Sequence, residues 1–567
     1  MDQNKNISGA WLAALAFVVV PTVFAQPVSI PGNDAAEIQR RQEQEIEAQR
    51  ARAAARPDIL SSRPAVSGQA DAVEFPEETP CFLIDTIDWD GARPPAVLRR
   101  MGDTVQGRCV GIEGLRGLQE RMMDRLIDTG LITSRVLVPE QSLASGTLTL
   151  RYMPGRISGV RDPDMPGWWR TVLPTWPGGP LDQRDLDQAL ENIRRLAGQA
   201  DAAIDITPGP EAGDSDILLR PGTGKRWHGY VGGDNSGLDN VGTYQVNAGL
   251  TLDSPLFLYD QLSVAWNSNA RWRSDKANTR AASINYSVPF GYWTAFFSAS
   301  RSTYRQTVAG FDAPIIYGGT TRQVQGGLSW VAYRGSAYKG TLTASISRKR
   351  VSSTLNDEEI DVQRRDVTGY EIGYTHRHYV GPAVLDAGFG VRGNLRGMSD
   401  QPGFVYGDPD WNGRSTILTA SAGLYLPWQM AGRQWAYQGN WQIQHARTPL
   451  VPSDYFTIGS RYAVRGFDGQ MTLAAEDGWT LRNDLSLSLG ESGQQLYAGV
   501  DAGHVGGPSA RDLSGRSLVG AVAGLRGRVA MPWVNASYDL SAGWPLKKPA
   551  GLKTDHTVFA ATLMFEF

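Results

Sequence analysis

The charged pair with the most specific potential chemistry is an arginine in a Gly-rich stretch and an aspartate in a strand-like run. Arg465 lies between residues 452 and 478, which show little strand pattern, and Asp501 lies in 496–503, where apolar and polar residues alternate. A guanidinium and a carboxylate can form a charge-assisted, bidentate contact, which would hold the loop to the strand. Taken alone, such a pair is usually a solvated surface pair. The arginine stands in the tetrapeptide Val464-Arg465-Gly466-Phe467.

The sequence offers one further charged candidate, Arg526, and contains no familiar catalytic motif. In the run after Asp501, alternation turns Val519 and Leu525 outward and Arg526 inward, so Arg526 is a further candidate on the same face. The six histidines are scattered, and the sequence has no HExxH, GxSxG or GxxxxGK[ST] motif. We therefore expect no catalytic residue, no metal site and no cofactor.

The N-terminus and the two cysteines indicate an oxidising compartment. Lys5 is followed by an apolar run from Ala10 to Val20 and by small residues before Gln26, which is typical of a cleaved signal peptide spanning 1–25. Two cysteines in such a compartment can pair as a disulfide, and a metal site is the weaker interpretation because two thiolates fall short of four ligands. The two are Cys81 and Cys109.

The composition leaves two possible classes of protein. The 567 residues include 64 glycines and carry a formal charge of -3, which gives no general attraction to nucleic acid. After the first 25 residues there is no run of 18 apolar side chains, so spanning helices are not expected. A soluble multidomain protein and a transmembrane β-barrel remain, since barrel strands are individually inconspicuous.

Residues 222–567 favour the barrel because their polarity alternates with period two. Leu485, Leu487 and Leu489 alternate with serines, and the final run places Phe565 and Phe567 on one face. A soluble sandwich would also alternate, but a barrel must close its last strand on its first because an open edge cannot be hydrated in lipid. At roughly ten residues a strand plus connections, this region predicts about 16 antiparallel strands around a pore.

The preceding residues predict a helix, a linker and two small α/β modules. Residues 26–56 include Ala35 to Arg56, a polar helix that either docks in a polar cavity or stands free in solvent. Residues 57–79 have the composition of a flexible tether. The modules, 80–156 and 157–221, each show a β-α-β-β pattern with exposed sheet edges that suit strand addition by an extended polypeptide, although two spacer domains would look the same.

Several of these motifs together resemble the two-partner secretion transporters, the hemolysin secretion/activation and filamentous-hemagglutinin transporter family (TpsB type). The first module is similar to a first POTRA domain, the second to a second POTRA domain, and the VRGF tetrapeptide to the sixth extracellular loop of POTRA-bearing barrels. Asp501 and Gly503 resemble the partner motif of that loop on a late strand. The motifs are Pro139-Glu140-Gln141, Ser145-Gly146-Thr147-Leu148, Pro154-Gly155-Arg156-Ile157, Pro180-Leu181, Val464-Arg465-Gly466-Phe467 and Asp501-Ala502-Gly503.

The resemblance implies a mainly β fold: a 16-stranded barrel in the bacterial outer membrane, two periplasmic POTRA domains and an N-terminal helix that plugs the barrel. It implies secretion of one large exoprotein (TpsA type), recognised through that partner's N-terminal secretion domain. Phe565 and Phe567 would be read by the barrel assembly machinery, and the remaining partner would be outer-membrane lipid, with no nucleic acid. The alternative functions are an outer-membrane protein assembly factor of the same superfamily and a passive porin.

Deleting residues 35–56 tests the plug that the resemblance implies. We expect the ion conductance of the purified protein in planar bilayers to rise, because a helix withdrawn from a lumen leaves a wider aqueous path. A conductance equal to that of the full chain would contradict a plugging role.

Overall fold

The computed structural model describes residues 75–162, 164–271, 274, 277–308, 314–399 and 413–567. The predicted signal peptide, the predicted helix from Ala35 to Arg56 and most of the predicted linker lie outside these residues. The described chain forms two small domains followed by a large barrel. No helix within the described ranges is both long and apolar enough to cross a membrane.

The first domain packs two helices on a three-stranded sheet. Strand β5 runs parallel to β2 and antiparallel to β4, and β1 pairs with β3 beside them. Leu118, Met122 and Leu126 recur at every fourth residue of α2 and are fully buried, which is why this segment is helical and faces the sheet. The elements are β1 Phe82–Ile84, β2 Thr86–Gly91, α1 Ala96–Asp103, β3 Arg108–Val110, α2 Ile112–Asp128, β4 Arg135–Leu137 and β5 Thr147–Met153.

Two features of the first domain differ from the prediction. The sequence predicts one strand from Phe82 to Trp89, whereas the structure divides this segment into β1 and β2. Helix α1 was not predicted, because eight residues are too few to show a helical period. The predicted linker also ends earlier than residue 79. Phe75 packs against the core, and the Glu78 carboxylate accepts hydrogen bonds from the N–H groups at the start of α2, as an N-terminal cap does.

The second domain has the same type of core. Asp182 caps α3 by accepting a hydrogen bond from the Arg184 N–H at 2.9 Å, and Leu186 and Ile193 of this helix are buried. Strand β8 is central, parallel to β6 and antiparallel to β7, so β6 and β7 are the sheet edges. The elements are β6 Arg156–Arg161, α3 Gln183–Arg194, β7 Ala203–Pro208 and β8 Asp214–Arg220.

The third region is a closed antiparallel barrel of 16 long strands, as predicted. The last strand pairs with the first, joining Phe565 to Val231, so the described barrel has no open edge. The strands are β9 Trp227–Asp234, β10 Gln245–Asp253, β11 Gln261–Asn269, β12 Asn278–Phe290, β13 Trp293–Val308, β14 Ile315–Arg334, β15 Tyr338–Leu355, β17 Arg365–Val380, β18 Ala383–Asn394, β19 Ser415–Met430, β20 Arg433–Ala446, β23 Asp477–Ser488, β24 Gln494–Gly506, β25 Ser517–Ala530, β26 Asn535–Lys547 and β27 Val558–Glu566.

The connections between the main elements contain shorter strands and single 3₁₀ turns. The two-residue strand β16, Glu358–Glu359, pairs with β15, and β21 Phe456–Ile458 pairs with β22 Leu473–Ala475 inside the longest described loop. Connections at the barrel end nearest the two domains are short, from two residues at 291–292 to seven at 254–260. Single turns of 3₁₀ helix occur at Leu143–Ser145, Trp169–Thr171, Ala197–Gln199, Asp361–Gln363, Pro452–Asp454 and Pro508–Asp512.

Successive side chains of each barrel strand point alternately to the outside and to the interior of the barrel. Apolar residues such as Leu485, Leu496 and Val500 are exposed on the outside, whereas their neighbours in sequence turn to the interior. On strands β13 to β15 most of the interior side chains that line this wall carry hydroxyl or amide groups, including Ser300, Gln323 and Ser345, and Lys349 adds a positive charge. The wall is therefore apolar toward lipid and polar toward the lumen, as the period of two predicts.

Helix α3 fastens the second domain to the barrel. Glu191 lies 2.9 Å from both Arg334 and Lys339, which flank the turn between β14 and β15. The Asn192 amide donates a hydrogen bond of 2.8 Å to the carbonyl of Gly291 in the next turn. Tyr292 donates to Asp185 at 2.6 Å, and burial together with this carboxylate raises the pKa of its hydroxyl, so the phenol stays protonated.

The disulfide between Cys81 and Cys109 closes a loop with a sequence separation of 28 residues in the first domain. Replacing both cysteines by serine should lower the free energy of unfolding of this domain by about 3 kcal/mol, because the unfolded chain regains loop entropy. Hydrogen exchange of the α2 amides would measure the loss. Reduction of the unmodified protein is the matched control and should give the same change, and unaltered exchange in both would contradict this account.

Candidate functional site

The long loop between β20 and β23, residues 447–476, folds back into the barrel. Its short hairpin, β21 with β22, leads to a tip whose Val464 and Phe467 side chains are 0% and 1% exposed. These side chains pack in an apolar cluster formed with the inner faces of β24 and β25 and with neighbouring loops. The tip is thus anchored by two buried apolar side chains on either side of Arg465. The cluster comprises Ile458, Val464, Phe467, Leu473, Ala475, Val505, Ala510, Leu518 and Leu552.

Arg465 makes a bidentate contact with Asp501, whose side chain is fully buried. Its Nε and Nη2 atoms lie 2.6 and 2.8 Å from the two carboxylate oxygens, and its backbone N–H donates to the same carboxylate at 3.0 Å. Its Nη1 atom lies 2.7 Å from Asp484 on the adjacent strand. Parallel N–H···O bonds to an ionised carboxylate are among the strongest side-chain contacts, so this arginine fixes the loop tip to the wall.

A second arginine lies beside this contact, and the backbone pairing of β23 with β24 is interrupted there. Arg482 lies 3.8 Å from Asp501 and donates to the carbonyl of Tyr462 in the loop. Two arginines thus face two aspartates, which balances the buried charge. Strands β23 and β24 pair on both sides of this site but not opposite Asp501, because its carboxylate accepts the Asn483 N–H at 3.3 Å. The Asp501 side chain thus takes the place of a backbone hydrogen-bond acceptor in the sheet.

Glycines let the loop backbone lie directly on the wall. A Cβ at Gly520 would stand 1.9 Å from the Arg465 carbonyl oxygen, and one at Gly543 would stand 2.8 Å from the Gly466 Cα. Gly466 itself has φ +97°, a conformation that other residues rarely adopt. On β24, a Cβ at Gly503 would lie 2.8 Å from Val464. Only residues without a side chain fit this contact surface.

The structure brings together most of the residues that the sequence singles out. Val464, Arg465, Gly466 and Phe467 meet Asp501 and Gly503 at one place on the lumen wall. Four further residues of this site were not predicted: Arg482, Asp484, Gly520 and Gly543. Glycines at inward positions of neighbouring strands were the available signal for the last two, since an interior glycine in a strand often marks a close backbone approach.

Arg526 is a correction to the predicted site. It faces the lumen as the alternation predicts, but it lies six residues along β25 from Gly520, the residue paired with Asp501, which is roughly 20 Å. Its guanidinium donates to Gln495 at 3.1 Å and lies over the Tyr497 ring, close to the end of the barrel that meets the two domains. Alternation fixes the face of a strand residue but not its depth, and the prediction that Arg526 joins Asp501 was wrong for that reason.

The two predicted assembly residues lie on the lipid face at the closure of the barrel. Phe565 and Phe567 are 38% and 45% exposed. The Phe567 ring stands edge-on to Trp227, and its backbone exchanges two hydrogen bonds with Gly229 on the first strand. These residues help to seal the junction of β27 with β9, and their reading by an assembly machinery stays a prediction.

Known protein families match all three regions of the described chain. Residues 213–527 match the family described as haemolysin secretion/activation protein ShlB/FhaC/HecB, residues 82–155 match the ShlB-type POTRA domain, and residues 156–208 match a POTRA domain. The chain belongs to this ShlB/FhaC/HecB family. It is therefore an outer-membrane barrel protein whose POTRA domains stand in the periplasm, so the short connections are periplasmic and the loop 447–476 enters from outside.

Individual relatives agree over nearly the whole length. The "Outer membrane transporter CdiB-2" of Burkholderia pseudomallei (strain 1026b) is 31% identical over 98% of this chain and 100% of its own length. The "Hemolysin transporter protein ShlB" of Serratia marcescens is 28% identical over 84% of this chain and 85% of its own. The solved structure of CdiB from Escherichia coli superposes with a TM-score of 0.82 at 27% identity, covering 95% of this chain and 99% of that one.

Replacing Arg465 by alanine should release the loop from the wall. The substitution leaves Asp501 buried without its main partner, which typically costs about 3–5 kcal/mol. We expect faster protease cleavage between residues 452 and 478 in the folded protein. Arg465→Lys should give an intermediate rate, because a single ammonium cannot reproduce the bidentate contact.

Arg461→Ala is the matched control for this experiment. It removes the same charge from the same loop, but Arg461 contacts Asp234 at only 3.7 Å and Thr562 at 3.2 Å. The control should be cleaved little faster than the unmodified protein. Equal cleavage rates in Arg461→Ala and Arg465→Ala would show that Arg465 has no special part in holding the loop.

Proposed function

We propose that this chain secretes a large partner exoprotein across the outer membrane by two-partner secretion. The observation that carries this proposal is that the two sides of the lumen wall differ: one side is covered by the loop 447–476 and the other is polar. The loop 447–476 is held on strands β23 to β26, whereas the wall formed by β13 to β17 presents hydroxyl and amide side chains together with the charged Lys349, Arg365 and Glu371. A wall lined by hydrogen-bonding groups and by charges of both signs is hydrated and spreads its contacts over many side chains, which suits the passage of an extended polypeptide.

Recognition of the exoprotein is assigned to the periplasmic domains. The partner's N-terminal secretion domain would add a strand to a sheet edge, where main-chain hydrogen bonds provide affinity and alternate side chains provide specificity. Strand β7 is the favoured edge: both edge strands are six residues long, but Arg156 of β6 already forms a β-bridge with Pro180, whereas Ile206 of β7 is 37% exposed. The only other edge of that sheet is β6, within the part of the chain that the structure describes.

Opening of the pore requires at least two states that the exoprotein populates differently. In the closed state Arg465 holds the loop to Asp501, and in this proposal the predicted helix from Ala35 to Arg56, which lies outside the described residues, would occupy the lumen. Binding at the POTRA domains would favour withdrawal of that helix and passage along the polar wall. The sequence has no P-loop motif, so folding of the exoprotein outside the cell would drive export.

Assembly of the transporter itself involves two further partners in this proposal. The barrel assembly machinery would recognise the last strand through Phe565 and Phe567, and outer-membrane lipid would cover the apolar outer face. The aromatic rings at the periplasmic rim support this placement, since interfacial aromatics are typical of membrane barrels. Trp293 stacks on Trp330, and Trp428 stacks on Trp435.

Substitution of Ile206 by aspartate tests the recognition step. A charge on the exposed edge should weaken strand addition, and we expect the amount of exoprotein released into the medium to fall at least several-fold. Deletion of residues 81–221 should abolish release altogether. The level of heat-modifiable barrel in the outer membrane should stay the same in both cases.

Ile206→Val is the matched control because it keeps an apolar, β-branched residue at the edge, and its release should equal that of the unmodified protein. Normal export by Ile206→Asp would exclude β7 as the recognition edge. Normal export after the deletion would refute the proposed role of the POTRA domains.

A further inference from the structure

A row of arginines crosses three adjacent strands on the outer face of the barrel. Arg301 on β13 is paired with Arg322 on β14, which is paired with Arg350 on β15, so three guanidinium groups stand on directly facing positions. Arg348 precedes Arg350 on the same face, and all four side chains are exposed. We call Arg301, Arg322, Arg348 and Arg350 the arginine row.

The arginine row lies at the upper boundary of the lipid-facing surface. Below it, each of the three strands carries exposed apolar residues: Phe297 on β13, Val324 on β14 and Ile346 on β15. The stacked pair Trp293 and Trp330 marks the periplasmic end of this surface.

Depth along the strands gives the same placement. Arg301 and Arg322 are each eight residues from that tryptophan pair, which is roughly 26 Å along a strand and, because barrel strands tilt by roughly 40°, roughly 20 Å along the membrane normal. The apolar band of an outer-membrane barrel is about 25 Å tall. The row therefore stands near the outer edge of this band, and arginine side chains extend toward the interface, so the guanidinium groups reach the headgroups of the outer leaflet.

The positive charge of the row exceeds what the described protein neutralises. Asp366 on β17 accepts hydrogen bonds from Arg348 at 2.8 Å and from Arg350 at 2.8 Å. Four arginines less one aspartate leave a charge of +3 on this part of the surface. Glu359 faces Thr354, four residues beyond Arg350, which is roughly 13 Å away.

Like charges on directly facing strand positions destabilise a sheet. Two such pairs in succession therefore call for an anion between them. The side chains point away from the lumen, so neither a passing polypeptide nor the loop 447–476 reaches them. Guanidinium groups bind carboxylate and phosphate oxygens through paired N–H donors, and of these two anions phosphate is the one that lipid headgroups commonly carry.

We propose that the arginine row binds the phosphorylated headgroup of an outer-leaflet lipid. The occupant is a lipid rather than free phosphate because the apolar surface directly below the row packs against acyl chains while the guanidinium groups contact the phosphates. Binding fixes one face of the barrel, β13 to β15, to the lipid that surrounds it. The site is separate from the loop contact and does not depend on the proposed secretion activity.

Lipid A, which carries two phosphates on an acylated sugar, is the probe. The full chain is purified in a neutral detergent, and the dissociation constant for lipid A is measured by native mass spectrometry. Arg322→Gln combined with Arg350→Gln should weaken binding about 30-fold, since each basic residue at a membrane surface contributes about fivefold. Arg322→Lys combined with Arg350→Lys should retain most of the affinity, because the charge remains.

Lys349→Gln is the matched control. It removes a positive charge between Arg348 and Arg350 on the same strand, but Lys349 faces the lumen wall, so binding should stay within twofold of the unmodified protein. Heat-modifiable migration verifies that each variant is folded, and the single variant Arg322→Gln serves if the double variant is not.

Three results would overturn the proposal. The first is unchanged lipid A binding by the folded glutamine variant. The second is equal loss of binding in Lys349→Gln. The third is displacement of lipid A by inorganic phosphate at the same concentration, which would identify a site for the free anion.

Discussion

Every part of this structure depends on one constraint: backbone N–H and C=O groups that face hydrocarbon must be paired within the protein. The barrel meets it by closing β27 on β9, with Phe567 and Gly229 completing the last rungs. The one described place where the ladder between β23 and β24 lapses is opposite Asp501. There the carboxylate accepts the Asn483 N–H, so the polar contact that holds the loop also repairs the wall.

The same site shows how a buried charge is made tolerable. Asp501 would be costly to bury alone, but it receives three hydrogen bonds from Arg465 and lies near Arg482. The apolar side chains of Val464 and Phe467 exclude water from both sides, which strengthens the contact. Loop position, wall integrity and charge balance are therefore consequences of a single cluster.

Much of the fold could be predicted from the sequence, because period-two alternation over long strands is a strong signal and the helix of each domain has a clear apolar face. The pairing of Arg465 with Asp501 was also accessible, since both lie in recognisable motifs. Helix α1 was too short to give a period. Arg526 was placed on the correct face but at the wrong depth, because depth depends on strand register, which a local pattern does not encode. Asp484 and Arg482 look like any other lumen charges until the loop is in place.

The attachment of α3 to the barrel has a mechanical consequence. Glu191 and Asn192 grip two successive periplasmic hairpins, and the edge strand β7 belongs to the same small domain as this helix. A pull on a polypeptide attached to β7 would thus be transmitted to the turns at 291–292 and 335–337 through packed elements, with no flexible tether between them. Those hairpins belong to the strands whose lumen faces are polar, so tension would act on the side of the pore opposite the anchored loop.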